Sequence, residues 1–213
     1  MKLAVFASGG GSNFQAIADA SRSGLLNADV RLCVTDNAEA GVLNRAQALD
    51  ITASVTSAEQ SPRELLQHLH QHDITHIALA GYLRMVAPEI IDAFEHKIVN
   101  IHPALLPSFG GKGMYGQFVH QAVIESGVYW SGVTIHFVDQ TYDTGPIIFQ
   151  HPVGVAPDDT ATSLSERVLS FEHQIYPAVL QLIAEGRVEV AGGRARIEGM
   201  PPTFDITHPS FSS

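Results

Sequence analysis

The sequence predicts an α/β fold: one domain with an open, mostly parallel sheet, helices on both faces, and antiparallel strands in the C-terminal half. Two observations carry this. Short apolar runs alternate with segments of helical periodicity through the first half of the chain. Later, "GVTIHFV" (132–138) and "PIIFQHPVGV" (146–155) are joined by a connection short enough for a hairpin and too short for a crossover.

The elements follow in order. Residues 3–7 read as a strand, then a glycine turn and a helix over 12–23. Residues 30–34 give a second strand with a helix near 41–49, and 52–55 a third. Ser61-Pro62 opens a helix in which Leu65, Leu66 and Leu69 share one face; proline suits the first helical turn, where its missing N–H would have no partner. Residues 74–80 and 97–101 are further strands, the latter running into "NIHPALLP" (100–107). In 132–138, Val133, Ile135 and Phe137 face one side, and Thr134, His136 and Val138 the other. A long helix carries Leu164, Val168, Phe171, Ile175 and Val179 at spacings of three and four, with Thr160 and Thr162 as candidate N-caps. The closing "PPTFDITHPSFSS" has little periodicity and is expected to run over the surface. Residues 1–190 are read as one domain, with 191–213 an extension packed on its surface.

Composition narrows the function. A length of 213 residues, 45% of them hydrophobic and 16% charged, fits a single globular domain. The 22 acidic and 12 basic residues give a formal charge of −10, which argues against a general nucleic-acid or membrane binder. An anionic ligand must therefore be held locally, by backbone amides and a few placed cations. The lone cysteine, Cys33, can form no disulfide within the chain, which favours a reducing compartment. "MKLAVFASGGGSN" is broken by glycine too soon for a signal peptide, and no apolar run approaches the ~20 residues of a membrane span. A soluble, cytoplasmic protein is expected.

Three segments carry chemistry. "SGGGSN" (8–13) lies between the first strand and the first helix, where outward N–H groups and the helix N-terminus make a phosphate cradle. It lacks the Lys-Ser or Lys-Thr of a P-loop, and Phe14 stands where G-x-G-x-x-G needs its third glycine. With Asp36 as a ribose-binding acid the turn also fits a dinucleotide fold, and it fits an ordinary strand-to-helix connection. In "NIHPALLP", Asn100 and His102 project to the same side of an extended chain at a strand end where α/β sheets bind ligands. An imidazole moves protons near neutral pH, an amide donates to a developing oxyanion, and Pro103 and Pro107 restrict the loop. Asp143 in "YDTGPI" reads equally as a turn residue or as a carboxylate that orients His102 or an ordered water. Arg84 in "LAGYLRMVAP" and the loop "GGKGMYG" (110–116) are weaker candidates. His68 and His72 lie one helical turn apart, with His76 beyond, but no carboxylate or cysteine supports them as metal ligands, and a solvated helix face is the preferred reading.

In order and spacing, "SGGGSN", "AGYLR", "NIHPALLP" and "GVTIHFVDQTYDTGPII" resemble the folate-dependent formyltransferases from residue 1 to about 185, and most closely the branch that formylates 5'-phosphoribosylglycinamide in purine synthesis. The resemblance implies a seven-stranded sheet and formyl transfer from 10-formyltetrahydrofolate by direct attack of the ribonucleotide's amine, with no metal. It implies that Asn100, His102 and Asp143 are catalytic. It implies that Gly11, Ser12 and Asn13 bind the phosphate and that Glu172 contacts the ribose hydroxyls. Arg84, Met85 and Val86, with Gln140, Thr141 and Tyr142, would hold the pterin. Its partners would be these two small molecules, with no nucleic acid or membrane, in a monomer or homodimer. Ala104, where the family usually has Ser or Thr, and "GGKGMYGQFVH" depart from the common pattern. The rivals are a non-catalytic dinucleotide-binding module, a formyltransferase acting on another amine, and a hydrolase that releases formate.

Overall fold

A computed structural model describes residues 1–57 and 60–199. The elements run β1 (Lys2–Phe6), α1 (Ser12–Arg22), β2 (Asp29–Thr35), α2 (Val42–Ala48), β3 (Thr52–Val55), α3 (Pro62–Gln71), β4 (His76–Leu79) and α4 (Pro88–Ala93). They continue with β5 (Ile98–His102), α5 (Gln117–Ser126), β6 (Trp130–Phe137), β7 (Ile147–Gly154), α6 (Ala161–Ala184), β8 (Val188–Ala191) and β9 (Arg194–Ile197).

The main sheet has seven strands in the order β3-β2-β1-β4-β5-β6-β7. The first five are parallel; β6 is antiparallel to β5, and β7 to β6. The chain winds outward from β1 to β3, then returns to place β4 on the other side of β1. That reversal leaves a crevice beyond the carboxyl ends of β1 and β4, the position where sheets of this type take ligands.

Both faces of the sheet are covered, so the central strands are apolar almost throughout. Leu3 and Val5 of β1 join a cluster with Phe14 and Ile17 of α1 and with Val168 and Val179 of α6. Ala4 and Phe6 point the other way, to Leu69 of α3 and Ile90 of α4. Each such side chain, fully buried, contributes roughly 1.5–3 kcal/mol. Cys33 is buried in β2, and burial pushes its thiol up to about 12.

Helix starts follow local chemistry. Ser61 caps α3 in a reciprocal box with Glu64, and Pro62 takes the first helical position. Of the two candidate threonines, Thr160 is the cap of α6 and Thr162 lies inside the helix: the Thr160 hydroxyl accepts from the Ser163 amide, and the Ser163 hydroxyl accepts from the Thr160 amide. Four elements lie outside the sequence expectation. α4 is only six residues long, too short for a periodic pattern. α5 starts at Gln117, and its N-cap, Gly116, offers no side-chain cap. The β8–β9 hairpin, whose strands are half-exposed, turns at Gly192 and Gly193, both at positive φ, and crosses residue 190. The tail expected to run over the surface lies outside the described residues. Among the described residues no helix is long and apolar enough to cross a membrane.

Gly145 allows the β6–β7 connection to close. A Cβ there would run into the backbone carbonyl oxygen of Phe137, whose own amide donates to the Pro146 carbonyl at 2.9 Å. Gly145→Ala is expected to lower stability by about 1–3 kcal/mol or more, read as a lower urea midpoint at constant m-value. An unchanged midpoint would rule out this close approach.

Candidate active site

The site is assembled where β5 ends. Asn100 and His102 lie two residues apart on one face of that strand, and Asn100 pairs with His136 of β6. The β6–β7 connection folds back onto this face. Asp143, at φ 59, stands there 3.6 Å from His102 Nδ1 through Oδ2 and 3.6 Å from His136 Nε2 through Oδ1. Aspartate tolerates this left-handed conformation better than most side chains.

Hydrogen bonds set the tautomers. Carbonyl oxygens only accept, so His136 donates from Nδ1 to the Phe137 carbonyl (2.8 Å). Its other nitrogen, Nε2, lies 3.1 Å from Asn100 Nδ2. The second Asn100 N–H makes only a 3.5 Å contact with Asp143 Oδ1. His102 donates from Nε2 to the Phe109 carbonyl (2.8 Å), which turns Nδ1 toward Asp143. Asp143 Oδ2 also accepts from the Gly111 amide (2.8 Å). The loop before these groups is tied to β6: Thr134 Oγ1 donates to the Ala104 carbonyl (2.6 Å) and accepts from the Leu106 amide (3.0 Å), while Gln150 donates to the Leu106 carbonyl (2.9 Å). The residue 104 peptide is thus held through its backbone, and the buried alanine side chain needs no partner.

These contacts shape the charges. Burial is the largest influence on His102 and lowers its pKa; Asp143 and the Phe109 carbonyl oppose it, His136 adds to it, and the net result lies below the ordinary imidazole value. At rest the ring is neutral, with a lone pair on Nδ1. Burial pushes Asp143 upward, but His136, the Gly111 amide and His102, whose protonated ring the carboxylate would pair with, more than offset this, and its pKa lies below the ordinary carboxylate value, so Asp143 stays ionised.

A cavity of about 640 Å³ runs from this cluster along the crevice. Its lining includes Ser8, Gly9, Asn13 and Glu172, together with Arg84, Met85, Val86, Thr141 and Tyr142. Asn13 Nδ2 donates to Glu172 Oε2 at 2.6 Å, and the Asn13 Oδ1 has no partner among the described residues. Glu172 is buried in α6, and burial raises its pKa even though Asn13 works against it.

Several sequence candidates stand apart from the wall. Gly11 is the left-handed N-cap of α1, pressed against Val42, and Ser12 begins the helix. Gln140 bonds to Asp92 (3.2 Å) and is not part of the lining. Asp36 accepts the Ser8 hydroxyl at 2.5 Å, and Ser8 Oγ in turn accepts the Leu83 amide at 2.9 Å, so this acid braces the turns after β1 and β4. His68 and His72 stack edge-on at 4.8 Å, and no group of three potential metal ligands occurs among the described residues. Sequence reasoning missed His136 as a site residue, although the alternation in "GVTIHFV" had put it on the polar face with Thr134. It also missed His120 of α5, which lines the cavity.

Residues 1–180 match the formyl transferase family, and the chain belongs to it. Within that family it is similar to proteins named phosphoribosylglycinamide formyltransferase. The chloroplastic one from Vigna unguiculata is 47% identical over 193 residues, 88% of this chain and 62% of that protein. The one from Bacillus subtilis is 37% identical over 186 residues, 84% of this chain and 93% of that protein. This chain therefore spans about three fifths of the plant relative and nearly all of the bacterial one. The crystal structure of glycinamide ribonucleotide transformylase 1 from Symbiobacterium toebii superposes with a TM-score of 0.86 at 36% identity, covering 92% of this chain and 93% of that one.

Removing the charge at Asp143 tests the electrostatics. In Asp143→Asn the His102 imidazolium loses its carboxylate neighbour, burial acts unopposed by it, and the His102 pKa falls further below the ordinary value. An NMR titration of the His102 ring checks this; a pKa that rises or stays fixed contradicts the arrangement.

Proposed function

We propose that this chain transfers the formyl group of 10-formyltetrahydrofolate to the amine of 5'-phosphoribosylglycinamide, a step of purine synthesis, by direct attack through a tetrahedral intermediate. The observation that carries the reading is the convergence of Asn100, His102 and Asp143 on one cavity that continues to the glycine turn and Glu172. The catalytic unit is residues 1–190. Gly11, Ser12 and Asn13 hold the phosphate at the start of α1, where backbone amides and the helix dipole favour an anion. Glu172 takes the ribose hydroxyls. Arg84, Met85 and Val86, with Thr141 and Tyr142 on the same cavity, hold the pterin, and Gln140, bonded to Asp92, serves by placing that segment. The protein acts in the cytoplasm on these two small molecules, as a monomer or homodimer, without nucleic acid, membrane or metal.

The chemistry follows from the geometry. The amine attacks the formyl carbon; a C–N bond forms and the carbonyl oxygen takes the negative charge. The weakly held second N–H of Asn100 is free to turn to that oxygen, a contribution typically of about 10²–10³ in rate. The neutral His102 accepts the proton released by the amine on Nδ1. The imidazolium so formed faces Asp143, which stabilises it, and it also favours the oxyanion. As the bond from carbon to N10 breaks, His102 returns the proton to N10, so the transfer is proton-neutral overall. Such acid–base help is typically worth about 10²–10⁴.

Supplying 10-formyltetrahydrofolate with and without the ribonucleotide is the decisive assay. Tetrahydrofolate is expected only when the ribonucleotide is present, with no formate; formate release without the amine would mark a hydrolase. His102→Ala and Asp143→Ala are each expected to lower single-turnover rates by about 10²–10⁴ while ribonucleotide affinity is nearly unchanged. Near-normal rates in either variant would overturn these roles.

A further inference from the structure

The glycine turn before α1 is braced by a cation outside the catalytic cluster, Arg45 of α2. All three glycine carbonyls of the turn are taken. Gly9 accepts from the Val42 amide (3.0 Å), Gly10 from Arg45 Nε (2.7 Å) and Gly11 from the Gln15 amide (2.9 Å). The first two donors belong to α2, which sits so close that a Cβ on Gly41, its N-cap, would lie 3.3 Å from the Gly10 Cα. In a planar trans peptide the carbonyl and the following N–H point in opposite directions. With the Gly9 and Gly10 carbonyls drawn to α2, the amides of Gly10 and Gly11 turn away from it, and neither has an acceptor among the described residues. The other arm of the guanidinium fork, Nη1, donates to Gln15 Oε1 of α1 (3.3 Å), so one side chain spans the turn and the helix it opens. Burial, and next the charge of Arg45, hold the His173 ring of α6 below the ordinary imidazole value. The field of this cation therefore reaches the residue beside Glu172.

Resting on the phosphate reading given above, we propose that Arg45 is a positioning residue for the ribonucleotide: it holds the Gly10 carbonyl toward α2, so that the Gly10 and Gly11 amides are set for the phosphate before it arrives, and it places a positive charge behind the turn. Three successive glycines have the greatest backbone freedom of any residues and cannot keep such a shape unaided. Peptides fixed beforehand lose little freedom on binding, which strengthens the grip on the anion. A charge of this sign also offsets the repulsion that a chain of formal charge −10 exerts on a phosphate. Arg45 acts through the backbone and does not touch the reacting atoms.

The test uses the full chain and both substrates. Arg45→Met keeps an apolar stem and removes the charge and the donors, while Arg45→Lys keeps the charge and a donor that can reach the Gly10 carbonyl. Arg45→Met is expected to raise the KM for phosphoribosylglycinamide about tenfold, the effect of one lost charged hydrogen bond, with kcat and the KM for 10-formyltetrahydrofolate little changed. Arg45→Lys should recover most of that loss. Equal rises in both KM values, a fall in kcat alone, equal impairment of the two variants, or no change in Arg45→Met would overturn the proposal. A wild-type measurement stands independently of how the variants fold. The Gly11 amide and Arg45 Nε–H resonances are expected to shift when the ribonucleotide saturates the protein, and a stationary resonance at either position would overturn the brace. A wild-type chain that fails to formylate phosphoribosylglycinamide sinks the reading of the function, whereas an active wild type with an insensitive Arg45→Met sinks this role alone.

Discussion

The carboxylate of Asp143 is the constraint on which the site depends. It meets His102, His136, Asn100 and the Gly111 amide, groups from two strands and one loop that share no other common partner among the contacts described. A buried charge is tolerated only when hydrogen-bond donors and opposite charges surround it. The need to satisfy Asp143 therefore holds the β6–β7 connection, the end of β5 and the loop around residue 110 in one arrangement. The space left is small. A Cβ on Gly110 would press on Leu106 and come within 3.3 Å of the Asp143 Cβ, so the loop approaches the carboxylate as closely as a backbone without a side chain permits.

The sheet supplies the frame for this cluster. Five parallel strands bring the glycine turn after β1 and the turn after β4 to the same edge, where Ser8 joins them through Asp36 and Leu83. The change to antiparallel pairing at β6 then sets His136 opposite Asn100 in register. Below the site, the buried hydroxyl of Tyr176 in α6 bonds to the carbonyls of Leu79 (3.0 Å) and Val99 (2.9 Å). The ends of β4 and β5 are thus tied to the same helix that presents Glu172 one turn earlier. The cavity lining at Glu172 and the Asn100–His102–Asp143 cluster therefore share one support, as groups proposed to act together on one carbonyl require.

Much of this was legible in the residues. Alternation of β and α runs, the brevity of the 139–145 connection and the cap at Ser61 are local signals, and local signals survive in a sequence. Asn100 and His102 were legible because a spacing of two on a strand end fixes a shared direction. Asp143 was not settled by its own segment. Turn chemistry accounts for an aspartate there equally well, and folding back over β5 is a tertiary event. The catalytic reading of Asp143 came from the resemblance. His136 illustrates a different loss, since its face was evident but its cross-strand partner depends on register between strands separated by α5. α4 and the β8–β9 hairpin went unread because six residues, or four half-exposed ones, are too few to establish a period.

The loop after Pro107 engages the cluster through peptide groups: the Phe109 carbonyl receives His102, and the Gly111 amide serves Asp143. Contacts of that kind are indifferent to which side chain a residue bears. A change of side chain there, within the room that Gly110 demands, would leave the surroundings of His102 and Asp143 as they are. The spelling "GGKGMYG" is then one of many that the same main-chain contacts would accept.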